Sequence, residues 1–136
     1  MKPGWANTTK ALYTSDEPVY SISEHNGYFL DPAHPDVQVF LLELINEIIT
    51  KYKPDGINLD YIRYPQSANV NMASYERSNW GYTQYARYEF KKMYNIDPID
   101  IKYKDENWAN WSNYRQNKIT EFVGNCLLYT SDAADE

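Results

Sequence analysis

The sequence predicts an α/β fold with a parallel sheet, open or closed into part of a (β/α)8 TIM barrel. Two observations lead there. Residues 35–52 carry the strongest helical periodicity in the chain, and a short apolar segment, Gly56–Leu59, follows almost at once. That segment ends in Asp60-Tyr61-Ile62-Arg63-Tyr64-Pro65, a carboxylate, a cation and two tyrosines. Strands that alternate with helices imply parallel pairing. A polar cluster at the C-terminal end of a strand is where such a barrel keeps its active site.

Taken in order, residues 1–27 are polar and rich in turn formers. Tyr28-Phe29-Leu30 reads as a strand end, closed by Asp31-Pro32 and by Pro35, because proline withdraws a ladder donor. The helix that follows places Val37, Phe40, Leu41, Leu44, Ile45, Ile48 and Tyr52 on one face. Pro35 suits the first helical position and Asp36 the positive end of the helix dipole. Pro54 stops the helix, and Asp55-Gly56 turns into the predicted strand, packed by Ile57 and Leu59. Residues 62–79 read as a long loop, a length usually tied to function or mobility. A second helix is expected over about Trp80–Tyr94, with Tyr82, Tyr85, Ala86, Glu89, Phe90 and Met93 on one side. A third is expected over Trp108–Val123; Gly124-Asn125 has the composition of a helix stop but borders the expected non-native tail and so fixes no boundary.

Composition narrows the function classes. The chain has 136 residues and a net charge of −6, enough for one ordinary domain but only about half of a complete barrel, which needs roughly 250 residues. Residues 126–136, Cys126 to Glu136, resemble the translation of a transposase adapter used in DNA library preparation. They are expected to be a non-native tail, and residues 1–125 a partial barrel. Three acidic residues and the one cysteine lie in that tail, so the remainder is only mildly acidic and has no thiol. No basic stripe suits a nucleic-acid backbone, and no apolar run is long enough to span a bilayer. Met1-Lys2-Pro3-Gly4-Trp5 lacks the apolar core of a signal peptide. His25 and His34 are far apart, so no metal site is expected, and neither a phosphate loop nor a nucleophile elbow is present. No cofactor is implied. Fourteen Tyr and four Trp favour a carbohydrate partner, because amphipathic rings stack on sugars while their polar tips bond hydroxyls. The alternative is that they fill a tyrosine-rich core.

The run Asp55-Gly56-Ile57-Asn58-Leu59-Asp60-Tyr61-Ile62-Arg63-Tyr64-Pro65 resembles the signature of the glycosyl-hydrolase-like ten family, bacterial TIM barrels related to glycoside hydrolases. Tyr28 to Pro35 and the helix around Trp111 and Tyr114-Arg115 are similar to two further family segments, in order. The resemblance implies a barrel piece running roughly from strand 3 to the helices after strand 4, in a parent protein acting on a polysaccharide outside the cytoplasm. The chain alone is expected to be inactive. Asp60 would end the fourth strand. Ile62 stands where a chitinase-type pattern would place a Glu, so a chitinase mechanism on this strand is not implied.

Glycoside hydrolysis usually takes two carboxylates flanking the bond. Asp60 is the catalytic candidate, as nucleophile, base or electrostatic stabiliser, with Arg63 able to favour its charged form. The alternative is a structural ion pair between the two, since burying either is costly unless it pairs or does chemistry. Arg63, Tyr61 and Tyr64 are candidate substrate contacts, the arginine fork suiting an acidic group. Asp31 and His34 would line the same cleft, or else form a turn and a helix cap. Trp80 and Tyr82, after the long loop, would stack on sugar. Asp55 reads as a turn former. A non-catalytic glycan-binding barrel is the rival to the hydrolase.

Overall fold

The computed structural model of the chain describes residues 9–10, 18–19, 30–64, 79–102 and 104–134. In order these form β1 (Thr9–Lys10), β2 (Pro18–Val19), α1 (Pro35–Tyr52), β3 (Asn79–Trp80), α2 (Gln84–Tyr94), a 3-10 turn (Pro98–Asp100) and α3 (Glu106–Ala134). The three strands have two residues each and pair antiparallel in the order β2-β1-β3. The described residues are therefore dominated by helix, and this overturns the expected α/β barrel piece with its parallel sheet.

The reason lies at Gly56–Leu59, which forms no ladder. A strand needs neighbours to take its backbone donors and acceptors, and none of the described strands pairs with it. Ile57 and Leu59 instead rest, half-buried, against a cluster made by Leu42 and Ile45 of α1 with Phe122 and Cys126 of α3. Of the segment expected as a strand end, Leu30 takes part in one isolated bridge, and Tyr28 and Phe29 lie outside the described residues.

Helix α1 follows its local signals. Pro35 occupies the first turn beside Asp36, the His34 side chain caps the N-terminus, and Lys53 closes the C-terminus in the left-handed region. Its apolar face is wider than its contact. Val37, Leu42 and Ile45 are buried, whereas Phe40, Leu44, Ile48 and Tyr52 are exposed, because among the described elements α1 packs mainly against α3.

Helix α2 starts at Gln84 rather than near Trp80, since Thr83 supplies the N-cap and accepts from the Ala86 N–H. Asn95 ends it in the left-handed region, a conformation asparagine tolerates. Asp97 then receives a two-pronged bond from Arg87, at 2.9 and 2.8 Å, and caps the Ile99 N–H. Helix α3 runs through Gly124-Asn125 without a stop. A single glycine inside a helix costs only about 1 kcal/mol, too little to end one whose Phe122 and Cys126 are anchored on α1. The main core joins Ala33, Tyr82 and Ile101 to Ala86 and Phe90 of α2 and to Trp111 and Tyr114 of α3.

Candidate functional site

The residues expected to act together occupy two separate places. The first is the exposed turn that follows the α1 connection. The Asp60 carboxylate accepts the Tyr61 N–H at 2.8 Å, and Tyr61 has a φ of 55°. The Arg63 N–H bonds the Tyr61 carbonyl at 2.8 Å, which closes a tight three-residue turn. The Arg63 guanidinium donates to the Tyr64 carbonyl at 3.3 Å and lies 5.1 Å from the centre of the Tyr61 ring, within cation–π range. Among the described residues Asp60 and Arg63 form no ion pair with each other. Both face solvent, so the burial that would have forced such a pair is absent.

The second place is interior. Asp31 is wholly buried. One carboxyl oxygen accepts the Ala33 N–H at 3.0 Å, and the other accepts the Thr83 hydroxyl in a short bond. Burial pushes the Asp31 pKa up, and the Thr83 and Ala33 bonds offset this only in part. Thr83 in turn accepts the Ala86 N–H at 3.2 Å. One carboxyl group thus ties the chain entering α1 to the first turn of α2. His34 takes the capping role through Nδ1, which accepts the Asp36 N–H at 3.2 Å, and its ring lies 5.2 Å from that of Tyr85.

Above Asp31, the Trp80 carbonyl accepts Arg115 Nη1 at 3.0 Å. The Arg115 guanidinium also lies 5.2 Å from the centre of the Trp111 ring. Gly81 makes this approach possible. Its φ is 100°, and a Cβ there would sit 3.0 Å from Arg115 Cδ and 3.2 Å from Tyr64 Cε1. Tyr82 packs its ring 5.3 Å from Trp111, and Trp111 stacks on Tyr114 at 5.4 Å. Burial, followed by the nearby Asp31 charge, raises the pKa of Tyr64 and of Tyr114. Burial also raises that of Tyr82 and lowers that of Arg115. The Tyr64 and Tyr114 hydroxyls are buried without a hydrogen-bond partner among the described residues.

The structure therefore gathers Asp31, Tyr64, Trp80 and Tyr82, but sets Asp60, Tyr61 and Arg63 apart from them on the surface. Sequence reasoning missed Thr83 and undervalued Arg115. A signal for the first was present, a Thr directly before a periodic run being an N-cap pattern. Nothing local announces the second, which depends on the glycine 34 positions earlier in the chain. Beside the exposed turn, an apolar cleft of 280 Å³ opens between α1 and α3. Among the described residues no group of His, Cys, Asp and Glu could hold a metal ion, and no helix is long and apolar enough to cross a membrane.

Comparison with known proteins identifies one family. The sequence model described as Glycosyl hydrolase-like 10 matches residues 4–129, a span that takes in both the exposed turn and the interior cluster. Neither the curated proteins nor the solved structures give a match.

Proposed function

The chain belongs to the glycosyl hydrolase-like 10 family, and from that premise we propose that it serves the hydrolysis of O-glycosidic bonds in a polysaccharide or cell-envelope glycan. Such a glycan is met outside the cytoplasm, which is where the parent protein would act. The family match carries the reading. The exposed turn supports it: Asp60 is exposed, with one oxygen bonded to the Tyr61 N–H, as a group that must meet substrate requires. Asp60 would serve as nucleophile, base or electrostatic stabiliser. Tyr61 and Arg63 would orient the sugar beside it.

Asp31 is a poor second carboxylate. Both of its oxygens are bonded inside the protein and it has no exposed surface, so a glycosidic oxygen has no route to it. The partner acid would come from outside the described residues. Trp80 and Tyr82 are likewise buried, which makes them part of the interior packing rather than stacking platforms.

The test is Asp60→Asn in the longest polypeptide that the gene encodes, assayed by release of reducing ends from a panel of polysaccharides and envelope glycans. Loss of a positioned carboxylate should lower kcat at least about a hundredfold and leave oligosaccharide binding intact. A wild-type protein that binds glycan but releases no reducing ends from any of them would replace the hydrolase with a glycan-binding module.

A further inference from the structure

The cleft between α1 and α3 is built for something other than sugar. Its walls come from Leu30, Val37, Leu41, Ile119 and Phe122, with Tyr61 and Arg63 at one side. Arg63 is the one charged side chain among the described residues of the lining. The amide of Gln38, also on the lining, donates to the Pro32 carbonyl at 2.7 Å, so it is turned into the wall. A pyranose placed here would leave most of its hydroxyls without partners, a cost of the kind that excludes buried polar groups.

We propose that this cleft binds a free medium-chain aliphatic carboxylate, with its tail among the aliphatic side chains and its head on Arg63. The guanidinium is held in place by the Tyr64 carbonyl and the Tyr61 ring. No carboxylate of the described residues pairs with it. Only one N–H is engaged by the Tyr64 carbonyl, so others are open to an oxyanion, and charge-assisted bonds of this kind are the strong ones. The cleft, at 280 Å³, is of the size of a short ligand rather than a long-chain lipid, and octanoate is the probe of that size. The inference shares Tyr61 and Arg63 with the hydrolase reading but is tested apart from it, because it is read by binding without turnover.

The experiment is calorimetric titration of the intact protein with monomeric butanoate, hexanoate, octanoate and decanoate, and with 1-octanol as the uncharged analogue. Each added methylene should tighten binding by up to about fourfold until the cleft is full, so affinity should climb to octanoate and level off at decanoate. Octanol should bind at least about tenfold more weakly than octanoate, since it lacks the charge-assisted contact. Arg63→Ala should weaken octanoate by a similar factor, and Arg63→Lys should restore part of it. Arg63 is exposed, so both variants should keep the wild-type circular dichroism. Absence of saturable octanoate binding would overturn the proposal. So would equal affinity for octanol, which would mark unspecific adsorption on the exposed Phe40, Leu44 and Ile48 stripe. Displacement of octanoate by a neutral oligosaccharide would reassign the cleft to sugar.

Discussion

Two regions of this molecule use the same chemical vocabulary to opposite ends. The interior cluster combines Asp31, Arg115 and the tyrosines 64, 82 and 114. The exposed turn combines Asp60, Arg63 and Tyr61. In the first, Asp31 and Arg115 are bonded to residues distant in sequence, and burial shifts the acidity of every group named. In the second, the carboxylate and the cation are held by bonds to their immediate neighbours in the chain. A carboxylate and an arginine close in sequence thus say little about role. Burial decides whether they build the fold or stay open to a ligand.

Substitutions separate the two regions by the size of their effect. Trp111→Ala should be the most damaging. The side chain is fully buried and touches the rings of Tyr82, Phe90 and Tyr114, so the cavity should cost about 3–5 kcal/mol in urea denaturation. A loss under about 1 kcal/mol would mean that the interior cluster is not the core. Asp31→Ala comes next, at about 3 kcal/mol, because it strands the Thr83 hydroxyl and the Ala33 N–H.

The pH dependence sharpens the comparison further, since two aspartates are shifted in opposite directions. Asp31 lies above the ordinary 3.8. The stability linked to it is therefore full below pH 3.8 and is lost as pH rises through the raised native value. Asp97 is pushed up by burial but held below 3.8 overall by Arg87 and the Ile99 N–H. Its contribution is full above pH 3.8 and is lost as pH falls through the lowered value. Urea midpoints measured across acid pH should show Asp31→Asn removing the decline on the alkaline side of 3.8. Asp97→Asn should remove the decline on the acid side. Profiles that overlay the wild type would show that these groups keep their ordinary values.

Gly81→Ala should cost about 1–3 kcal/mol, from strain at a positive φ and from the push against Arg115 and Tyr64. A thermal midpoint equal to wild type would show that Arg115 moves aside freely. At the small end, Asp60→Asn should change stability by less than about 0.5 kcal/mol, as for an exposed side chain with one local bond. If it destabilises as much as Asp31→Ala, the exposed turn is structural and its catalytic candidate falls with it.

How much was legible follows the range of the forces involved. Pro35, Asp36, Pro54 and the 3.6-residue spacing mark α1 within two residues of its observed ends, because capping and periodicity act within a turn or two. Asn95 to Pro98 likewise marks the end of α2. Family membership was legible too, in the Asp55–Pro65 run. The strand expected at Gly56–Leu59 was not decided locally. Its apolar residues fit a sheet and a helix cluster equally well, and only the presence or absence of partner strands distinguishes them. The site divides in the same way. That Asp60, Tyr61 and Arg63 share one turn follows from their adjacency. The bond between Asp31 and Thr83 spans 52 residues, and Arg115 reaches Trp80 across 35. By itself the sequence determined that three helices are present, the ends of α1 and the family, through interactions between near neighbours. The tertiary structure alone decided which carboxylate is buried and which is open, because burial is set by what the distant parts of the chain bring alongside.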